Sequence, residues 1–378
     1  MKSNHLEQAL LSLTKAALWS ASPATDVFPL EEDEWLQLHF MAKKQTVEGI
    51  VYDAICQLPE DMLPPYHILM KWMEEVQRME AKYRLHVRTL AWLTGRIEEE
   101  TPLKPIILKG LPLGSLYPTP SHRTCGDIDI FYGSAADCTR ANYQVESWGI
   151  PVANGDSGES AFLIGGIPIE HHSYMSLSHV PWRKKSLTAW VEHECSLSTG
   201  IMTMEVEGMP IKVLSPILDM VQLASHSLKH ALNEGIGLRQ LCDMAMYVNK
   251  YHDIMQPKEL RQALNRFGLL RWTDLCLSYC TKYLGLQESS FPYSPHCSNN
   301  LLDAMHKEVM LSGNFGQMDE RYQHSDPTQA TQKQTARRIL RNVRRYISLS
   351  PLESTFWLLG LAGTRTIEKI QKQNIKET

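Results

Sequence analysis

No two cysteines in this 378-residue chain stand as C-x-x-C. The eight present, Cys56, Cys125, Cys138, Cys195, Cys242, Cys276, Cys280 and Cys297, are scattered, which excludes a zinc ribbon and suggests no disulfide framework. Cys276 and Cys280 share a helix face, yet no second ligand pair lies near them, so they read as core residues. Reduced thiols and a cytoplasmic setting are expected. Long hydrophobic runs are also missing: FWLLGLAG at 356–363 is far short of the roughly 20 residues that cross a bilayer. The first residues, MKSNHLEQALLSLTKAALWS, carry an acidic side chain and no long apolar stretch, so the chain is expected to be neither secreted nor membrane-spanning. Strong charge is the third absence. A net charge of −4 exerts no global attraction on nucleic acid or anionic lipid. No internal repeat or low-complexity tract stands out.

What is present supports real cores: 43% of residues are hydrophobic, with 9 Trp and 14 Tyr, in a length that allows two or three domains. From Leu6 to about Glu100 apolar residues recur three and four apart, which predicts helices through LEQALLSLTKAAL, EWLQLHFMAKK, VEGIVYDAICQL and YHILMKWMEEVQRMEAKYRLHVRTLAWLTGRIEEE. Between about 103 and 214 the pattern changes to short strands: PIILKG, DIDIFY, two runs around Gly165-Gly166, and IMTMEVEGMPIKVLS. Ser215 and Pro216 then open a helix that Gly235 and Gly237 stop, LRQLCDMAMYVNKYH is the next, and further helices follow. The segment 312–334 is polar and reads as a loop or lid. The expected fold is α+β, a small mixed sheet core at 101–214 flanked by helical regions at 1–100 and 215–378.

One stretch breaks its own pattern. RTCGDIDIFY, Arg123 to Tyr132, places two aspartates in what otherwise reads as a buried strand. Successive strand residues point to opposite faces, so Asp127 and Asp129 share one face about 6–7 Å apart while Ile128, Ile130 and Tyr132 take the other. Two carboxylates that close repel, and burying them unpaired is costly, so the arrangement calls for a cation between them. Upstream, a strand ends at Lys109-Gly110, where a strand-to-helix turn exposes N–H groups able to cradle phosphates and a lysine adds charge. Gly114-Ser115 is a second candidate for that role; Lys109-Gly110 is favoured because it ends an obvious strand. Downstream, Glu170 in IPIEHH faces away from Ile167 and Ile169, and alternation puts His172, not His171, on its side. A third carboxylate on a neighbouring strand is what two-metal phosphoryl transfer requires.

The order ILKG, R-x-x-G-D-I-D-I at 123–130, I-E-H-H at 169–172, the His-rich SHSLKH at 225–230 and LRQLCD at 238–243 resembles nucleotidyltransferase family 5, a bacterial branch of the DNA polymerase beta-like nucleotidyltransferase superfamily. The resemblance spans roughly residues 30–250. It implies transfer of a nucleoside monophosphate from NTP to a hydroxyl, with pyrophosphate released and Mg²⁺, or Mn²⁺ in its place, held by Asp127, Asp129 and Glu170. It also implies that Lys109, Gly110, Ser115, Arg123, His172, His226, His230 and Arg239 contact the nucleotide or its acceptor. Leu111 follows Gly110 where the superfamily usually has Ser or Gly, and this departure keeps a second function open: a non-catalytic nucleotide-binding or regulatory module. A glycosyltransferase D-x-D would need a larger doubly wound sheet and no acid on an adjacent hairpin.

His226 and His230 share a helix face, but Ser227 stands where a zinc protease has its glutamate, so they read as a polar wall of the cleft. Arg239 and Asp243, also four apart, read as a local pair. ARRILRNVRRYI at 336–347 clusters Arg337, Arg341, Arg344 and Arg345 on one helix face. Without interleaved aromatics it reads as a solvated surface helix; nucleic acid is allowed as a partner and not indicated. The acceptor is unidentified.

Overall fold

The structure is a computed structural model and describes residues 2–155, 158–176, 178–316, 319, 321 and 332–360. Four helices come first: α1 (Lys2–Leu18), α2 (Glu32–Gln45), α3 (Glu48–Ile55) and α4 (Tyr66–Glu100). Seven strands follow, β1 (Ile106–Leu108), β2 (Ile128–Phe131), β3 (Ala153–Asn154), β4 (Glu159–Ile164), β5 (Ile167–His172), β6 (Ile201–Val206) and β7 (Met209–Leu214), in one mixed sheet of order β3-β4-β5-β2-β1-β7-β6. The pairs β1/β7 and β2/β5 run parallel and the others antiparallel. The α+β expectation, a mixed sheet between helical flanks, therefore holds.

Local chemistry explains several boundaries. The β4/β5 hairpin turns on Gly165 and Gly166 at φ 57° and 83°, the double positive φ that a tight two-residue turn matching strand twist demands. Within the strand region the structure adds α5 (Gly110–Gly114), α6 (Ala135–Ser147) and α7 (Pro181–Ser196). Ser134 caps α6 by accepting from the Asp137 N–H, and Pro181 begins α7. After the sheet come α8 (Pro216–Asn233), α9 (Leu238–Tyr251), α10 (Pro257–Arg266), α11 (Leu270–Leu284), α12 (Asn299–Ser312) and α13 (Gln332–Tyr346). Ser215 sits at the N-cap of α8 as expected, but its hydroxyl makes no capping bond; Pro216 sets the start. Residues 322–331 of the expected loop or lid lie outside the described residues.

The sheet separates two cores. On one face Ile107, Ile128, Ile130 and Ile169 pack against Leu90, Leu93 and Ile97 of α4 and against Ala141 and Val145 of α6. On the other, Ile106, Leu108, Phe131 and Leu214 join a larger core that takes in α1 to α3 together with α8, α9, α11 and α12. The two helical regions that flank the sheet in sequence thus meet in space. The Trp19 indole N–H donates to Leu284 O at 2.6 Å, and Gln45 spans α12 and α9 by donating to Val309 O and accepting from Leu238 N. Among the described residues no helix is long and apolar enough to cross a membrane.

Candidate functional site

Alternation along β2 and β5 decides what faces the helices. With Ile128, Ile130 and Ile169 committed to one core, Asp129, Glu170 and His172 emerge on the opposite face, and the parallel register sets Asp129 beside Glu170 and Phe131 beside His172. Ligand atoms of Asp129, Glu170 and His172 all lie within 4.8 Å of one another. His172 Nε2 donates to Asp129 Oδ1 at 2.7 Å and stands 3.7 Å from Glu170 Oε2. Asp127, one residue before β2, lines the same cavity of about 600 Å³, which α8 and α9 close from the other side.

Lys109 enters from the end of β1. Its backbone sits at φ 47°, ψ −141°, and Gly110 follows at φ 44° with Cys125 Sγ 3.3 Å from where a Cβ would stand, so only glycine suits position 110. The Lys109 ammonium is 3.0 Å from Asp129 Oδ1 and 3.2 Å from His226 Nε2. On α8 the row continues: His226 Nε2 lies 3.1 Å from His230 Nε2, and His230 Nδ1 is 2.9 Å from Glu234 Oε2. A polar chain therefore crosses the cavity from Asp129 to Glu234. Phe315, at 4.4 Å from the His230 ring, also lies 5.3 Å from the Arg239 guanidinium.

The charges are unevenly matched. Burial would lift the Asp129 pKa, but Lys109 and the His172 bond outweigh it and hold the carboxyl far below the usual range. Asp127 goes the other way, raised by burial and then by the Asp129 charge, and Glu170 is raised by burial, Asp129 and Asp127. Burial works against the Lys109 ammonium, yet Asp129, Asp127 and Glu170 keep its pKa above the ordinary lysine value. His226 is pushed well down by burial and the neighbouring Lys109. Three carboxylates thus share one lysine and one imidazole in contact, with the Arg239 guanidinium acting on Asp127 from further off.

A family model described as an uncharacterised nucleotidyltransferase matches residues 31–285. The chain belongs to that nucleotidyltransferase family. No curated protein matches it. Among solved structures, the crystal structure of an antigenic nucleotidyltransferase-like protein from Paracoccidioides brasiliensis is similar over 53% of this chain and 92% of its own length, at 13% identity and a TM-score of 0.32. The stretch matched to the nucleotidyltransferase family contains all of the polar chain from Asp129 to Glu234, whereas Phe315 and Arg338, which complete the cavity wall, lie beyond it.

Of the residues singled out in the sequence, Lys109, Gly110, Arg123, Asp127, Asp129, Glu170, His172, His226, His230 and Arg239 all line this cavity. Ser115 is not among its lining residues, and its hydroxyl donates to Pro112 O at 2.7 Å. Arg123 is fully engaged: Nε and one terminal nitrogen donate to the two oxygens of Asp243 at 3.0 and 2.6 Å, and the other reaches Gly110 O and Thr124 O. It fixes the turn that carries Gly110. The local pairing of Arg239 with Asp243 is corrected accordingly, because Asp243 is taken by Arg123 and the Tyr117 hydroxyl while Arg239 donates to Thr124 O. His171 points into the other core, between Tyr132 and Asn142. Sequence reasoning missed Glu234, Lys229 and Phe315; Glu234, four residues after His230, was the one that helical spacing could have found.

Proposed function

We propose that the chain is a divalent-metal-dependent nucleotidyltransferase that moves a nucleoside monophosphate from NTP to a hydroxyl of an acceptor and releases pyrophosphate. The observation that carries this reading is the pairing of Asp129 with Glu170 on adjacent parallel strands, beside Asp127, at the floor of one cavity. The donor set fits Mg²⁺ or Mn²⁺: carboxylate oxygens are hard ligands, and His172, turned onto Asp129, orients that carboxylate. Asp127, Asp129 and Glu170 are the residues that would hold the ion. Bound there, a divalent ion neutralises phosphate charge and lowers the cost of the crowded transition state.

The chain's own residues do the rest. Arg239 pairs with no carboxylate among the described residues, and its Nε is buried without a hydrogen-bond partner, which suits it to a triphosphate oxygen. Glu170, whose side chain is 35% exposed at the cavity, would take the proton as the acceptor oxygen bonds to the α-phosphorus and the bond to pyrophosphate breaks. His226 and His230 form the wall against which nucleotide or acceptor lies.

The test is a double Asp127→Asn/Asp129→Asn variant, checked for folding by circular dichroism and assayed for pyrophosphate release from each NTP with Mg²⁺. Turnover should fall by about three orders of magnitude; unchanged turnover sinks the assignment. One observation favours a second reading, a non-catalytic nucleotide-binding module: Leu111 is buried at the position after Gly110, and the Ser115 hydroxyl is tied to Pro112. Calorimetric NTP binding with no pyrophosphate released, whatever the acceptor offered, selects that module.

A further inference from the structure

We propose that Lys109 is the resident cation of the carboxylate cluster, an ammonium that a divalent metal displaces from Asp129 and that passes the displacement on to His226 and His230. The inference rests on the reading that Asp129 and Glu170 take a divalent ion. Lys109 Nζ touches Asp129 Oδ1 at 3.0 Å and, on its far side, His226 Nε2 at 3.2 Å. A second acceptor is therefore in place when the first is lost.

Electrostatics supplies the direction of the movement. Lys109, and Arg239 acting on Asp127, balance two of the three carboxylates, so the cluster keeps an excess of negative charge that attracts a dication. Once that ion sits against Asp129, an ammonium in contact with the same oxygen is repelled, while the neutral His226 nitrogen is not. Lysine only donates hydrogen bonds, so His226 presents an unprotonated Nε2 to it and carries its proton on Nδ1. A Lys109 that shifts toward His226 alters that bond, and His230, 3.1 Å further on and held by Glu234, lies in line with the change.

The backbone gives independent support. At φ 47°, ψ −141° Lys109 occupies a conformation that glycine adopts freely and residues with a Cβ adopt under strain. Strain of this kind at a site persists only where the surrounding contacts over-determine it; here Asp129 and His226 hold the Lys109 ammonium, and Arg123 holds the carbonyl of the next residue, Gly110.

Two variants test the proposal: Lys109→Met, which keeps the stem, and Lys109→Gly, which also relieves the backbone. Mg²⁺ and Mn²⁺ affinity is measured by calorimetry, melting temperature with and without Mg²⁺, and the His226 ring nitrogens by ¹⁵N NMR during a Mg²⁺ titration. Both variants should bind Mn²⁺ about tenfold more tightly, as expected when one close like charge is removed. Lys109→Met should melt lower than the unaltered chain without metal, Lys109→Gly should melt above Lys109→Met because its backbone is relieved, and both should gain more from Mg²⁺ than the unaltered chain. The His226 Nε2 resonance should move with Mg²⁺ in the unaltered chain and stay still in Lys109→Met. Affinity unchanged in both variants, or a metal-free Lys109→Met that melts as high as the unaltered chain, overturns the displacement and leaves the metal site standing. An unaltered chain that binds neither ion overturns both readings.

Discussion

Two of the buried acidic clusters among the described residues are built in opposite senses. Around Glu308 on α12, 2% exposed, Arg321 and Arg341 reach one carboxylate oxygen at 2.7 and 3.1 Å, and Arg345 reaches the other at 2.6 Å. Arg321 also binds Asp319, so two acids meet three guanidiniums. Around Asp129, equally buried, three acids meet one lysine and one imidazole in contact and Arg239 from further off, and the cluster borders a cavity. Burial alone therefore says little about function. What separates the clusters is the sign of the excess: the closed one is oversupplied with cations, and the open one is short of them.

Substitution at each cluster can break that contrast. Glu308→Gln leaves three arginines against Asp319 alone and should lower stability by about 3–5 kcal/mol, the cost of breaking a buried ion network, as read from urea unfolding. Mg²⁺ affinity should not change. Glu170→Gln removes an acid whose charge is disfavoured where it sits, so metal-free stability should hold or rise slightly while Mg²⁺ affinity drops at least tenfold by calorimetry. If both variants destabilise alike, the two clusters are the same kind of object and the functional reading of the open one loses its basis.

The open cluster was legible in the sequence because its information is local. Alternation in DIDIF and IPIEHH fixes which side chains share a face, and short strands in one sheet bring the two faces together. The closed cluster was not legible. ARRILRNVRRYI read as a solvated helix, yet Arg341 and Arg345 are bound to Glu308, more than 30 residues earlier and marked by nothing nearby. The same limit explains Asp243: helical spacing suggests Arg239 as its partner, whereas the structure brings in Arg123 from 120 residues away. Periodicity specifies a face and leaves the partner on that face to tertiary packing. The shared core of α1 to α3 with the later helices was hidden for the same reason, since each helix shows an apolar stripe and none shows what the stripe will meet.

A third cluster, intermediate between the two, gives the smallest and most diagnostic effect. His122 lies between Asp53 at 2.7 Å and Glu80 at 3.1 Å, with its own side chain 9% exposed and the acids 25% and 36% exposed. Burial lowers the imidazole pKa, but the hydrogen bonds to Asp53 and Glu80 outweigh it and the net shift is upward. A folded pKa above the unfolded value means that the protonated histidine stabilises the fold fully below about pH 6.5, and that this contribution fades as pH rises through the folded value. Asp219, raised by burial to about 7, fades over a window that ends where this one begins, so a pH scan of the unaltered chain mixes the two. The difference between the unaltered chain and His122→Gln isolates the histidine. Melting temperatures from pH 6 to 8.5 should fall more steeply in the unaltered chain, by a contribution of about 1 kcal/mol given the partly solvated partners. Parallel curves would mean that Asp53 and Glu80 are balanced by solvent rather than by His122, and that the turn leading into Arg123 and Asp127 is held by packing alone.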